Sequence, residues 1–530
     1  MTGPVPVAED GATGRAGRSR SGRWMALVGA GFVVAGLLAA LLPVGGNRVD
    51  ARVVGGNLPI DTRGGDPHHR VAENSPKLVV NPIHPDNLAV SGRVDLPAFS
   101  CRLHVSFDGG RRWDDVPIPV PEQRKIGCID PDIAFGPEGT LYVSFISFGD
   151  VPGSGYAPDA LWVAASHDGG RTFAPLTQVT GPLAFEARLA VDGARPGRLY
   201  VTWVQATGTS SYGFADDGNP ILISSSDDGG STWSSPARVS PQPRARVVAP
   251  SPAVGPGGTV YVAYLDVGND RLDYEGAHEN RGGEPYSGTW SLVMARSLDG
   301  GSTWAEADVD RGLVPIDRFL VLFPATPSVA VDRRNGDVLV GYHDGRLGDA
   351  DVRVWSSTDK GRTWSAGRRV NDTPVRDGTW QYLPQLAISA HGRLTVVYYD
   401  RRSDARNLHN EVSLQSSLDD GRTFSRRVVL SDRPFDSRIG FGADRALPQL
   451  GSRLGLQVTD AGALAVWADT RGATALIPEQ DLARASVAFQ PTRRGLVARP
   501  GGIAVAATGV LLLAAALRPR RRRLRPVVAR

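Results

Sequence analysis

An octapeptide of the form Ser-x-Asp-x-Gly-x-x-Trp/Phe recurs along the chain, and its spacing limits the possible folds more than any other feature. Copies begin at Ser106, Ser166, Ser226, Ser297, Ser357 and Ser417, so successive starts lie 60, 60, 71, 60 and 60 residues apart. A fixed period of this size marks an architecture in which one supersecondary unit repeats. Within each copy the chemistry is that of a hairpin turn. The Asp accepts hydrogen bonds from turn amides, the Gly takes a backbone conformation closed to other residues, and the aromatic packs inward. Asp108, Asp168, Asp228, Asp299, Asp359 and Asp419 are therefore read as structural residues, not as ligands or catalysts.

Two strand-like runs precede each octapeptide, the second alternating with period two and ending in an aromatic. Examples are PDIAF then TLYVSF, ARLAV then RLYVTW, SPAV then TVYVAY, PSVAV then DVLVGY, and PQLAI then RLTVVY. With the runs on either side of the octapeptide, four short strands fill each period, which is the size of a propeller blade. PKLVV with NLAVSG opens the series and RLGLQV with ALAVWA ends it, raising six units to seven. The last unit has a third strand near LARASVAF but no octapeptide, so its outer strand is missing. The expected fold is all-β, a seven-bladed β-propeller of four-stranded blades over residues 74–490, with Ala51 to Val54 lent from the other end to close it. Six blades are the alternative.

The 63 Gly and 39 Pro agree with a turn-rich all-β chain. Residues 24–44 carry no charge and follow Arg15, Arg18, Arg20 and Arg23, the positive-inside arrangement of a transmembrane signal-anchor; a cleaved signal peptide is the alternative. Residues 501–517 form a second uncharged run, and seven arginines follow in residues 518–530. The expected layout is a cytoplasmic basic segment 1–23, a linker with closing strand at 45–73, a linker at 491–500 and a cytoplasmic Arg-rich tail. A transmembrane helix near each terminus would hold the propeller on the extracytoplasmic side of a plasma membrane. The net charge is +4, but the tail contributes +7 and residues 1–23 contribute +2, which leaves 4 − 9 = −5 for the region between. The basic balance reflects topology, and no nucleic-acid partner is implied.

Through these octapeptides, from roughly Asn74 to Phe489, the chain resembles the sialidase superfamily of Asp-box (BNR) propellers, which includes sialidases and relatives without sialidase activity. That resemblance implies a functional groove on the face opposite the octapeptides. Strand order points the same way, because antiparallel strands send second-to-third and blade-to-blade connections to the other face.

Three second strands end on that face in a matched motif: Asp344 with Arg346, Asp400 with Arg402, and Asp469 with Arg471. They resemble the arginine cluster that holds a sialidase substrate's carboxylate, or else form inter-blade salt bridges. Tyr382, Glu186, Asp130 and Asp132 are the candidates on this face for the nucleophile, its supporting Glu and the acid/base that a retaining sialidase needs. The Phe-Arg-Ile-Pro motif of sialidases has no counterpart, since the sequence before the first octapeptide reads CRLHV.

Long insertions on the same face carry Tyr156, Tyr212, Tyr274 and Tyr286, loop aromatics suited to stacking on sugars. Asp266, Asp270, Asp273 and Glu275 offer oxygen ligands for Ca²⁺ without an established loop spacing, so no metal site is assigned. Cys101 and Cys128, the only cysteines, are expected to be bonded in an exported domain. The leading expectation is a membrane-tethered module binding glycan or another anionic ligand. The alternatives are an exo-α-sialidase-type glycoside hydrolase and a scaffold for envelope protein assembly.

Overall fold

The computed structural model describes residues 27–28, 30–33, 51–60, 71–96, 98–121, 127–208, 218–244, 246–270, 272, 286–316, 324–439, 450–472, 479–490, 508 and 510–511. The chain divides into two compact units, Asn47–Pro491 and the pair of end segments Met1–Gly46 and Thr492–Arg530. Among the described residues no helix is long and apolar enough to cross a membrane. The apolar runs at 24–44 and 501–517 lie outside the described residues except for short helical pieces at 27–28, 30–33, 508 and 510–511.

Residues 47–491 form seven four-stranded antiparallel blades among the described residues, the sixth with a short extra strand, Phe435–Asp436, paired to its third. The expectation of seven blades, with six as the alternative, resolves to seven. First strands form the inner ring: Glu73–Val80, Cys128–Phe135, Ala184–Val191, Val247–Val254, Ser328–Val331, Gln381–Ile388 and Gly455–Val458, each touching the next and the last touching the first. Ala51–Pro59 supplies the fourth strand of blade seven, running antiparallel to Asp481–Phe489 with Ala51 opposite Phe489. The lent strand was expected at 51–54 and runs on to Pro59 past a register shift after Val54. Closure joins the last blade to the first part of the chain and leaves no open end to the ring.

Blades pack on both sides, so second strands are buried on both faces and read as nearly continuous apolar runs. Leu199–Gln205 shows this, as do the fully buried Trp203, Tyr264, Tyr398 and Trp467 at the same place in four blades. Burial of each such ring stabilises the stack by roughly 1.5–3 kcal/mol.

The octapeptide turns join third to fourth strands with one geometry. In blade two, Ser166 Oγ donates to Asp168 Oδ1 at 2.7 Å, the same oxygen accepts the Arg171 and Thr172 amides at 2.9 Å, and Gly170 N donates to Ser166 Oγ at 2.8 Å. Hydrogen bonds from Thr232 and Thr303 hold the Asp228 and Asp299 carboxyls down at about 2. Gly170 has φ +103, and a Cβ there would lie 2.9 Å from Leu141 and 3.0 Å from Val105, so glycine is required twice over. The preceding position is less strict, since Lys360 and Asp420 adopt the left-handed conformation at φ 61 and 58.

First strands carry a second repeated device. Between Asn74 and Lys77, Ile129 and Asp132, Phe185 and Arg188, Val248 and Ser251, and Tyr382 and Gln385, the pairing slips by one residue. The extra residue is left-handed in each case: Ser75, Asp130, Glu186, Ala249 and Leu383, at φ 52 to 58. Each is a β-bulge, and in four of them a proline follows, which has no N–H to leave unpaired. First strands start on the face away from the octapeptides, so the bulges ring the axis at that end.

Candidate functional site at the axial mouth

Two residues beyond each bulge residue the side chains differ from blade to blade. Blades one to three place Lys77, Asp132 and Arg188 there, opposite Ser91, Ser144 and Thr202 of their second strands. Blades four to six place Ser251, Ser328 and Gln385 at the equivalent register, and blade seven places Gly455.

Asp132 is fully buried and organises the cluster. Lys77 Nζ lies 2.9 Å from its Oδ1, and Arg453 Nη1 from blade seven lies 3.0 Å from the same atom. The Leu189 amide of blade three donates to Oδ2 at 2.7 Å. Arg453 also donates to the Pro131 and Ser75 carbonyls at 2.6 and 3.1 Å. Arg188 Nη2 of blade three donates to Thr326 Oγ1 at 3.2 Å, at the entry to blade five. Bonds between non-neighbouring blades, such as three with five and seven with two, are possible only across the axial space. These side chains therefore form a charged plug across the mouth.

Burial alone would raise the Asp132 carboxyl, but Lys77, Arg453 and Arg188 outweigh it and hold the group below the usual carboxylate range. Burial lowers Lys77 despite Asp132, and lowers Arg453 to about 10. The Lys77 side chain keeps 30% of its surface exposed, against 9% for Arg453 and 7% for Arg188. Among the described residues the buried Arg188 Nε has no hydrogen-bond partner.

Two further carboxylates stand on the bulges beside the plug. Asp130 Oδ2 accepts the Glu186 amide at 2.8 Å, its Oδ1 lies 3.6 Å from Arg188 Nη1, and Glu186 Oε2 accepts the Ala249 amide at 2.5 Å. Each of these two carboxylates thus secures the next bulge's backbone. Both carboxylates remain half-buried.

The structure brings Asp130, Asp132 and Glu186 together and keeps Tyr382 apart from them. The Tyr382 hydroxyl is buried and donates to Asn410 Oδ1 at 2.7 Å, beneath Arg401, and burial pushes its pKa up. Tyr274, Tyr212, Asp273 and Glu275 lie outside the described residues. Asp266 accepts from Arg244 at 2.9 Å, and Asp270 accepts the Leu272 amide and Trp290 Nε1 at 2.9 and 3.0 Å.

The three Asp/Arg motifs lie at the ends of second strands, and each arginine reaches back to the preceding blade. Arg346 pairs with Asp344 and with Asp310 of blade four at 2.9 Å. Arg402 pairs with Asp400 at 2.7 Å and with Asp372 in the connector from blade five. Arg471 pairs with Asp469 at 2.6 Å, with Asp432 in the connector from blade six, and with Asn57 of the closing strand at 2.9 Å. This is the geometry of inter-blade clips.

Cys101 and Cys128 are bonded, with Cα atoms 5.5 Å apart, and tie blade one to the start of blade two. Lys77, Arg188 and Arg453 were not singled out from the sequence. A signal was present, because aligning the first strands on the proline of PKLVV, PDIAF and PQLAI puts Lys77 in register with Asp132 and Gln385.

Seven four-stranded blades with octapeptide turns between third and fourth strands make the fold a seven-bladed β-propeller. No family model and no curated protein matches the chain. Solved structures similar to it include a protein of unknown function from Dyadobacter fermentans, at 14% identity and TM-score 0.44, covering 83% of this chain and 99% of that one. A Hadza microbial sialidase matches at 15% identity and TM-score 0.42, over 77% of this chain and 75% of its own. An α-L-arabinofuranosidase from Fusarium graminearum matches at 14% identity and TM-score 0.42, over 70% and 95%.

Proposed function

We propose that this propeller binds an acidic glycan at its axial mouth. The observation that carries the reading is the mixed-charge cluster that blades one, two, three and seven assemble on the face away from the octapeptides. Of its three cations, Lys77 presents the most surface to solvent and suits a sugar carboxylate as a compact point charge. Asp130, half-buried on its bulge, offers a carboxylate acceptor to a ring hydroxyl beside it. An array of fixed donors and acceptors around one cation fits a polyol that carries a single acid group.

The apolar, arginine-flanked runs at 24–44 and 501–517 support membrane tethering with the propeller outside the cytoplasm, as does the disulfide. Ca²⁺ has no part in this proposal. Titration of the full-length chain with N-acetylneuraminic acid and glucuronic acid tests the reading. Saturable binding of either, weakened at least tenfold by Lys77→Met, is expected. Absence of saturation with both, or equal binding of neutral glucose, overturns it. The same samples incubated with a fluorogenic sialoside are expected to show no turnover, because Tyr382 is buried away from the mouth carboxylates.

A further inference from the structure

Blade two departs from its neighbours above the mouth. Its second and third strands, Leu141–Val151 and Gly155–Ser166, pair four positions past the level where the other second strands end, from Phe148 opposite Pro158 to Val151 opposite Gly155. At ~3.3 Å per residue the hairpin rises about 13 Å above that face.

It carries an aromatic pair. The Phe148 and Tyr156 rings pack with centroids 5.6 Å apart, and Tyr156 is 58% exposed. Phe99, 46% exposed, stands beside the same segment, its carbonyl accepting the Gly127 amide at 3.1 Å and the Cys128 amide at 3.3 Å. Gly127 lies under the two rings with φ +98, and a Cβ there would come within 2.5 Å of Tyr156 Oη and 2.8 Å of Phe148 Cβ. The Phe148 amide donates to the Gly127 carbonyl at 2.9 Å, so the platform and the start of the first strand of blade two are one hydrogen-bonded unit. The disulfide fixes that unit to blade one. Exposed aromatics on a rigid, cross-linked mount are unusual for a solvated loop and are the form a stacking surface takes.

The platform leads directly into the mouth. Gly127 and Asp130 are three residues apart along one extended segment, about 10 Å at ~3.3 Å per residue. That separation spans about two sugar rings.

Resting on the reading of the mouth as an acidic-sugar site, we propose that Phe99, Phe148 and Tyr156 form a second, stacking subsite, and that the ligand is an acidic oligosaccharide whose next units lie along blade two. The C–H face of a pyranose meets the electron-rich ring faces there, while the terminal carboxylate sits at Lys77. Charge complementarity selects the acidic end, and the platform selects chain length.

The test compares galacturonic acid with its tetramer on the full-length chain. The wild type is expected to bind the tetramer at least tenfold more tightly than the monomer. Tyr156→Ala and Phe99→Ala are each expected to remove most of that difference, leaving monomer affinity and the thermal midpoint unchanged. Equal affinity for monomer and tetramer in the wild type, or tetramer binding untouched by both substitutions, overturns the platform alone. Failure of the wild type to bind either sugar overturns the mouth and the platform together.

Discussion

Blades one to three and blades four to six share a backbone at the axial mouth but not a chemistry. Bulges recur in five of these six blades with the same left-handed residue and the same slip in pairing. On one side the bulge residues are Ser75, Asp130 and Glu186, and two positions after them stand Lys77, Asp132 and Arg188. On the other, the bulges carry Ala249 and Leu383, and the equivalent register holds Ser251, Ser328 and Gln385. A feature repeated in every blade serves the fold. Side chains that break the repeat within a repeated frame mark where the chain does something else. The octapeptides, alike in six copies, fall on the structural side of that division, and so do the Asp/Arg clips.

The sharpest contrast comes from removing the buried carboxylate. Asp132→Ala leaves Lys77, Arg453 and Arg188 around an uncompensated site and is expected to cost about 3–5 kcal/mol in chemical denaturation. Ser328→Ala, at the equivalent place in blade five, removes one bond to the Leu386 amide and is expected to cost about 1 kcal/mol. Equal losses would erase the distinction between the two halves.

Replacing both cysteines by serine releases a tie across a separation of 27 residues and should lower stability by about 3–4 kcal/mol. Arg346→Ala breaks a clip while Asp344 keeps the Val314 amide, so about 1–3 kcal/mol is expected, with acidic-sugar affinity unchanged. A loss of sugar affinity in that variant would move the site to the second-strand ends.

Acidity probes the same cluster. The Asp132 carboxyl lies below its unfolded value, so its contribution is present above about pH 3.9 and is lost as pH falls through the lower folded value. The charged plug is therefore expected to survive between pH 7 and 5 in circular dichroism melts. Binding needs a protonated Lys77, whose pKa is lowered by burial, so affinity should fall on the alkaline side before the ordinary lysine range is reached. The smallest effect is expected from Ser251→Ala, within about 0.5 kcal/mol and without change in binding.

Much of the fold was legible in the chain because its devices repeat. Six octapeptides set the period, the unmarked strand pairs at PKLVV and RLGLQV raised the count to seven, and ARVV was recognisable as the closing strand. The face of the candidate site followed from strand order. Its residues were legible only in part. Asp130, Asp132 and Glu186 were picked out as acids on that face, but their basic partners come from blades one, three and seven and meet across the axis, at sequence distances of up to 321 residues. Arg346, Arg402 and Arg471 drew notice because they repeat, and in this scaffold repetition marks a clip. Tyr382 sits one residue before a bulge, on a strand face that turns into the packing between blades.

The central claim is that the charged half of the mouth holds the acidic end of a glycan. Isothermal titration of glucuronic acid into the wild type, Lys77→Met and Arg346→Ala tests it most directly. Saturable binding in the wild type, a loss of at least tenfold in Lys77→Met and wild-type affinity in Arg346→Ala is the predicted result. Full affinity in Lys77→Met, with binding abolished in Arg346→Ala, would contradict it.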